Sequence, residues 1–264
     1  MNKYTVSFVG AGRVAGALCR RLHDKGVKIR SIVSRKEPKG KSLASECGAI
    51  WNTLLKFSEQ DEIIIVAVPD DSLPGVLSAM DVHESTIVAH TAGSFGLEIF
   101  PSRFGHTGVF YPLQTFTAGR EVNFEGLPFF LEASDPPTLE NLSEIAELTG
   151  GSVYKIGEHQ RQLLHVAAVF VNNFTNHMLT TGKLITDSAG VPFSLLEPLI
   201  METVDKAFKM GPEASQTGPA SRSDEGTIER HINLLSFSPE LQKLYIELTG
   251  AIIAHYKKAG DDKL

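Results

Sequence analysis

The stretch Thr5-Val6-Ser7-Phe8-Val9-Gly10-Ala11-Gly12-Arg13-Val14-Ala15-Gly16 decides the fold. A short β-rich run, Thr5–Val9, ends in two glycines one residue apart. A helix-period stretch then opens and runs from Val14 to about Lys25. In a strand–turn–helix unit of this kind the first glycine permits a tight turn and the second lets backbone approach a pyrophosphate. The third small residue, here Ala15, lets helix pack close to strand. The helix N-terminus then offers free N–H groups and the positive end of its dipole to negative charge. Gly10, Ala11, Gly12, Arg13 and Val14 are therefore candidates for holding a dinucleotide. A tight turn with no ligand is the alternative. Glycine triplets are common, and the strand before and helix after this one make it informative.

Working outward, strand and helix patterns alternate. Ile29–Val33 reads as the next strand, Ser42–Cys47 as helix, and Ile63–Val68 as a continuous apolar run, the pattern of a strand buried on both faces of a parallel sheet. It stops at Pro69-Asp70-Asp71-Ser72, a turn and helix-start signal. Thr86–Ala89 is another such strand, ending at His90-Thr91-Ala92-Gly93-Ser94. Phe129–Glu132 and Ser152–Ile156 bracket a helix from about Pro137 to Leu148. This order predicts an α/β Rossmann domain with a doubly wound, mostly parallel sheet. After Gly157 the texture changes to one long helix from about Glu158 to Ser188, then helices at Phe193–Met210, Asp224–Leu234 and Pro239–Lys258. The expected organisation is a nucleotide-binding domain over residues 1–157 and an all-α helical domain over 158–264.

Composition excludes other classes. The 264 residues are 42% hydrophobic and 21% charged, ordinary globular usage, and 25 Lys+Arg against 31 Asp+Glu give a net charge of −6. That is not the basic footprint of a nucleic-acid binder or a polybasic membrane protein. The longest apolar runs, Ile63–Val68 and Val166–Val171, fall far short of the roughly 20 residues a membrane span needs. Met1-Asn2-Lys3-Tyr4 leads straight into a strand-like stretch without signal-peptide architecture. Two cysteines, Cys19 and Cys47, cannot make a disulfide scaffold, and no metal-ligand spacing is present. These features predict a cytoplasmic protein with a small-molecule ligand, and no nucleic-acid or membrane partner.

Cofactor choice turns on the end of the second strand. An NAD-preferring site would place Asp or Glu there against the ribose 2′-hydroxyl. This chain offers Ser34-Arg35-Lys36, a hydroxyl and two cations, which suit the 2′-phosphate of NADP through charge-assisted hydrogen bonds. A solvated basic turn is the other reading. Further on, the long helix is apolar almost all round at Leu164, Val166–Val171, Phe174 and Met178, and such a helix is expected to be buried in a core or a subunit interface. His165, Asn172, Asn173 and Asn176 interrupt it as one polar stripe at about 100° per residue. The stripe faces either a hydrogen-bond network between helices or a substrate.

Six segments together resemble a bacterial family: the glycine loop, Val66-Ala67-Val68-Pro69-Asp70, His90–Ser94, Tyr111-Pro112-Leu113-Gln114-Thr115-Phe116, His165–Asn173, and Thr217-Gly218-Pro219-Ala220-Ser221-Arg222-Ser223-Asp224. In that family a Rossmann-like domain precedes a helical domain of unknown function 2520. The resemblance covers essentially the whole chain. More distantly the chain is similar to the 6-phosphogluconate dehydrogenase C-terminal-like superfamily, which includes β-hydroxyacid dehydrogenases, ketopantoate reductase and pyrroline-5-carboxylate reductase. That likeness implies NAD(P) in the first domain, a helical domain that closes the active site, and a homodimer formed through it. Two positions depart from the relatives. Val169 stands where hydroxyacid dehydrogenases carry a catalytic Lys before an Asn pair, and Tyr111 stands where the resembling family has His before Pro-Leu-Gln.

A mechanism follows as an expectation. Open α/β sheets bind ligands at the carboxyl ends of their strands, so Val68, Pro69 and Thr91 border the nicotinamide of NADPH. His165 serves as general acid, with Asn173 orienting the substrate oxygen and Asn172 beside it. Ser94 and neighbouring N–H groups hold a substrate carboxylate. Arg222 reaches either that anion or a neighbouring carboxylate, and Asp224 fits an N-cap. His90 is a second acid candidate or a structural residue. The expected activity is NADP-dependent reduction of a small carboxylated carbonyl compound, a 2-oxo acid of the ketopantoate type or a cyclic imine. A non-catalytic NADP(H)-binding sensor is the alternative.

Overall fold

The computed structural model describes residues 4–261; Met1–Lys3 and residues 262–264 lie outside the described residues. The first half runs β1 (Thr5–Val9), α1 (Arg13–Asp24), β2 (Lys28–Val33), α2 (Glu37–Glu46), β3 (Ile50–Asn52), β4 (Ile63–Val66), α3 (Leu73–Ala79), β5 (Ile87–His90), β6 (His106–Pro112), β7 (Pro128–Ala133), α4 (Pro136–Leu148) and β8 (Ser152–Lys155). The strands form one sheet in the order β3-β2-β1-β4-β5-β6-β7-β8. Every described pairing is parallel except β6 with β7. The doubly wound sheet is therefore present.

β4 shows why the sheet needs helices on both sides. All four of its residues are buried. Ile63 and Ile65 enter one apolar core with Leu18 and Leu22 of α1, Leu43 of α2 and Ile145 of α4, while Ile64 and Val66 enter a second core with Leu73 and Leu77 of α3. Period-two alternation sends successive side chains to opposite faces, so an all-isoleucine-and-valine strand is stable only when both faces are covered. At roughly 1.5–3 kcal/mol per fully buried aliphatic side chain, this strand anchors the domain.

Four elements differ from expectation. β3 and β6 are additional strands. β6 carries a glycine and ends in proline, which breaks the β-rich pattern, and its register Tyr111↔Phe130 is set by β7. α2 begins at Glu37, with Pro38 in its first turn, ahead of the expected Ser42; proline suits a first turn because its missing N–H is not needed there. The long helix is divided into α5 (Glu158–Ala168), a π-helical segment (Val169–Phe174) and α6 (Thr175–Ser188). The i→i+5 bonds of a π segment break the 100° phase that aligned His165 with Asn172, Asn173 and Asn176. Of the two expected places for this stretch, the core is excluded, since in the single chain Val166 is 53% exposed, Phe170 62% and Val171 75%; the subunit interface is the other.

The chain divides into two compact units, one ending at Asn173 and the other starting at Phe174. The texture change at Gly157 coincides with the N-cap of α5, but α5 itself packs with the sheet unit. The second unit holds α6, α7 (Glu197–Met210), α8 (Pro212–Ser215), α9 (Glu225–Leu234) and α10 (Pro239–Asp261). Asp224 caps α9 by accepting a hydrogen bond from the Thr227 N–H at 3.1 Å, as anticipated, and His231 of α9 meets the Tyr245 hydroxyl of α10 at 2.8 Å. Among the described residues no helix is long and apolar enough to cross a membrane.

Candidate active site

β1, β4, β5 and β6 are adjacent and parallel, so their carboxyl ends share one edge of the sheet. At the end of β1, Gly10 takes φ +112°, and a Cβ there would stand 2.3 Å from the carbonyl oxygen of Ala67. Only glycine fits that turn. Its N–H donates to the Val33 carbonyl, while the Ala67 N–H donates to Val9, so the turn is clamped between β2 and β4. Gly12 caps α1 without a side-chain hydrogen bond, and among the described residues no atom beyond its own chain neighbours lies within 4 Å of where its Cβ would be. Ala15 is fully buried. First-turn amides with open space before them form an anion cradle that a Cβ would fill, so these residues fit a dinucleotide pyrophosphate. A cavity of about 1010 Å³ opens beside Ala11, Gly12 and Arg13, walled also by Lys39 and by Phe116 and Thr117 of the β6–β7 connection. Arg13 is exposed and Val14 half-buried at the head of α1.

At the end of β2, Arg35 and Lys36 are exposed. The Ser34 hydroxyl instead accepts the Trp51 indole N–H at 3.1 Å. Two cations thus remain directed to solvent, where the 2′-phosphate was expected, with the serine partly engaged by its neighbour. Val68 and Pro69 follow β4, and Thr91 follows β5 with its N–H donating to Val66 across the two strand ends. All three occupy the shared edge.

The second half of the site is assembled from distant segments. Tyr111 at the end of β6 lies with its hydroxyl 2.9 Å from Nδ1 of His165 on α5, the rings edge to face at 5.8 Å. Gly93 fits between them: a Cβ on it would meet the His165 ring at 2.8 Å and Tyr111 at 3.0 Å. Next to Gly93, the Ser94 hydroxyl donates to the Asp70 carboxylate at the end of β4. Burial, and secondly the charge of Asp70, push the Tyr111 phenol above its ordinary pKa. The phenol is therefore a proton carrier rather than a phenolate at neutral pH.

Helix α5 holds the loop that carries Gly93 and Ser94. Arg161, fully buried, pairs with Glu132 of β7 and donates to the Phe95 carbonyl at 2.6 Å; its Nε has no hydrogen-bond partner among the described residues. Gln162 donates to the Ser94 carbonyl at 3.2 Å. From the sheet side, His90 is completely buried, stacked on Phe100 at 5.3 Å. Its Nδ1 accepts the Ala92 N–H, which leaves Nε2 to donate to the Gly96 carbonyl. Burial pushes the His90 pKa down to about 4. That fixes the open choice for His90: it is a neutral staple of the loop, with both nitrogens engaged.

Of the expected catalytic and substrate residues, the structure brings His165 and Ser94 into one cluster. Ser94 differs from expectation in its partner, because its proton is given to a carboxylate. Asn172 and Asn173 lie outside the cluster as exposed residues of the π segment, and Arg222 belongs to the second compact unit. Sequence reading did not assign roles to Tyr111, Asp70, Arg161 or Gln162. Arg161 stands four residues before His165, on the same helix face, and Asp70 ends the strand motif already quoted. Those were the available signals.

Comparison with known proteins now bears on this geometry. A family model described as NADP oxidoreductase, coenzyme F420-dependent, matches residues 5–93, and one described as a domain of unknown function (DUF2520) matches residues 127–252. The chain is 36% identical to a candidate NADP oxidoreductase from Bacteroides fragilis, over 95% of this chain and 98% of that one, with a TM-score of 0.85. It is 24% identical to a protein from Thermotoga maritima over 96% and 99% of the two chains (TM-score 0.70). An imine reductase from Myxococcus stipitatus in complex with NADP+ shares the fold at 17% identity, over 98% and 95% of the chains, with a TM-score of 0.64. No curated protein matches the chain.

Proposed function

The chain belongs to the family that joins an NADP-oxidoreductase Rossmann domain to a domain of unknown function 2520, and from that premise we propose that it is an NADP-dependent oxidoreductase acting on a carbonyl or imine carbon of a small molecule. The observation that carries this reading is the Tyr111–His165 pair, a proton-carrying couple at the sheet edge where the glycine loop also ends.

Bound NADPH supplies a hydride. The N-terminal amides of α1 with Gly10, Ala11, Gly12, Arg13 and Val14 would hold its pyrophosphate, Arg35 and Lys36 would meet its 2′-phosphate, and Val68, Pro69 and Thr91 would border the nicotinamide side. Tyr111 gives a proton to the substrate heteroatom as negative charge develops there. His165, donating from Nδ1 to the phenol oxygen, turns the phenolic proton toward the ligand and resupplies it. This keeps His165 in the acid–base role and places Tyr111 between it and the substrate. Arg161 and Gln162 fix the loop so that Gly93 leaves room for the pair.

The test is NADPH oxidation across a panel of 2-oxo acids and cyclic imines. Turnover that drops about 10²–10⁴-fold in Tyr111→Phe and in His165→Ala, with NADPH affinity intact, supports the enzyme. Tight NADPH binding with no turnover on any member would replace it with the sensor reading.

Homodimerisation through the second unit is part of the proposal. On α7, Met201, Val204 and Phe208 follow i, i+3, i+7 spacing, and Phe208 is 89% exposed. An exposed apolar stripe of that kind marks an association surface. A monomer in sedimentation of the purified protein would remove this part.

A further inference from the structure

The bond from Ser94 to Asp70 reverses the sign of the ligand expected there. A serine hydroxyl has one proton to donate, and Ser94 gives it to a carboxylate. A substrate carboxylate seated against Ser94 would face a fixed like charge, which is unfavourable. The neighbouring groups repeat that sign. Glu98 accepts the Gly96 N–H, Glu158 accepts Gln162, and both carboxylates stand against Gly96. The cation these contacts bring in, Arg161, is buried and committed to Glu132 and the Phe95 carbonyl. His90 carries no charge at neutral pH. None of these groups offers a cation to an acidic substrate, whereas Asp70 and the lone pairs of Ser94 are acceptors.

We infer that the ligand held at Asp70 carries a cationic nitrogen, so that the substrate of this site is a protonated imine or an amine-bearing carbonyl compound rather than a 2-oxo acid. The inference rests on the reading of this cluster as the reducing site. For an imine, Tyr111 gives its proton to the nitrogen and the iminium so formed faces Asp70; the carbon accepts the hydride and the C=N π pair moves onto nitrogen, a neutral amine results, and the charge facing Asp70 is discharged. For an amine-bearing carbonyl, the carbon accepts the hydride, the π pair moves to oxygen, and that oxygen takes a proton from Tyr111. The ammonium stays paired with Asp70 throughout. In both cases the hydride comes from NADPH, which leaves as NADP+.

The experiment is calorimetric titration of the full chain saturated with NADP+. One probe is piperidine, cationic at neutral pH, and the other is cyclohexanecarboxylate, a ring of the same size with the opposite charge. Piperidine is expected to bind at least about tenfold more tightly than the carboxylate. Asp70→Asn is expected to remove that preference without changing NADP+ affinity. Ser94→Ala, which leaves the carboxylate in place, retains it. Tighter binding of the carboxylate, binding of neither probe, or an unchanged preference in Asp70→Asn overturns the inference. So does a loss of NADP+ affinity equal to the loss for piperidine, which would make Asp70 a cofactor residue. Binding is read here without turnover, so the two readings fail separately. Absence of NADPH oxidation sinks the enzyme reading alone, and turnover confined to 2-oxo acids sinks the charge assignment alone. In the same oxidation assay, turnover of cyclic imines points to the iminium and turnover of amino ketones to the amine-bearing carbonyl.

Discussion

The two halves of the candidate site are built in opposite ways. The glycine loop is made of backbone: Gly10 in a left-handed conformation, Gly12 at a helix start, and amides that need no side chain to bind an anion. The proposed acid–base half is made of side chains from four segments, Asp70 after β4, Ser94 after β5, Tyr111 on β6 and His165 on α5. A backbone site stands or falls with local conformation. A side-chain site stands or falls with tertiary packing, and can be dismantled one function at a time.

The largest expected effect lies in the backbone half. Gly10→Ala would place a methyl group 2.3 Å from the Ala67 carbonyl, at a φ of +112° that non-glycine residues resist. Neither atom can yield, since Ala67 is hydrogen-bonded into β1. A loss of about 3–5 kcal/mol should appear in thermal denaturation, together with loss of NADPH binding. An unchanged melting temperature would mean that the turn relaxes, and the contrast between the halves would shrink. In the side-chain half, Tyr111→Phe keeps the ring and its packing on Phe130, 6.5 Å away. It should therefore leave stability and NADPH affinity nearly unchanged while lowering kcat about 10²–10⁴-fold. A parallel loss of fold in Tyr111→Phe would show that the pair is structural.

His90 staples the loop of the side-chain half, and its effect is read in pH. In the folded protein it stays neutral down to about pH 4, whereas in the unfolded chain it takes up a proton near its ordinary value of 6.5. Between those values the unfolded state binds more protons, so stability falls as pH drops from 6.5 to 4 and levels off below. The shift corresponds to about 3 kcal/mol. His90→Asn should abolish that step in denaturant unfolding measured across this range. A wild-type profile flat between pH 6.5 and 4 would contradict the burial argument.

What was legible in the sequence follows the same division. The strand at Thr5–Val9, the glycine turn and the β4 run at Ile63 could be read because each is enforced within a few residues, by period-two burial or by backbone sterics. β6 was not legible, since its stability comes from pairing with β5 and β7 while its own composition is interrupted by Gly108 and Pro112. His165 stands out in the sequence because a histidine is conspicuous on an apolar helix, but its partner Tyr111 is 54 residues away. Asn172 and Asn173 fall in a π segment whose changed phase no residue spacing announces, so their alignment with His165 was not legible. The hydrogen-bond partner of Ser94 was not legible, because Asp70 lies 24 residues earlier.

The smallest effect tests whether the backbone half has a side-chain component of its own. Arg35 and Lys36 are exposed, so their attraction for a 2′-phosphate is screened by solvent and salt. Arg35 has the planar fork that can bind a phosphate through two hydrogen bonds, whereas Lys36 acts as a point charge. Arg35→Ala should reduce the preference for NADPH over NADH by about tenfold, roughly 1.4 kcal/mol, and Lys36→Ala by less. The preference should also fall with added salt in the wild type and fall less in Arg35→Ala, since the charge responsible is gone. In the proposed site Gly12 and the α1 amides would meet the pyrophosphate, common to both cofactors, so NADH binding should be untouched by either substitution. A wild-type protein that prefers NADH, or an Arg35→Ala variant with an unchanged ratio, would mean that backbone alone selects the cofactor and that these two cations only solvate the turn.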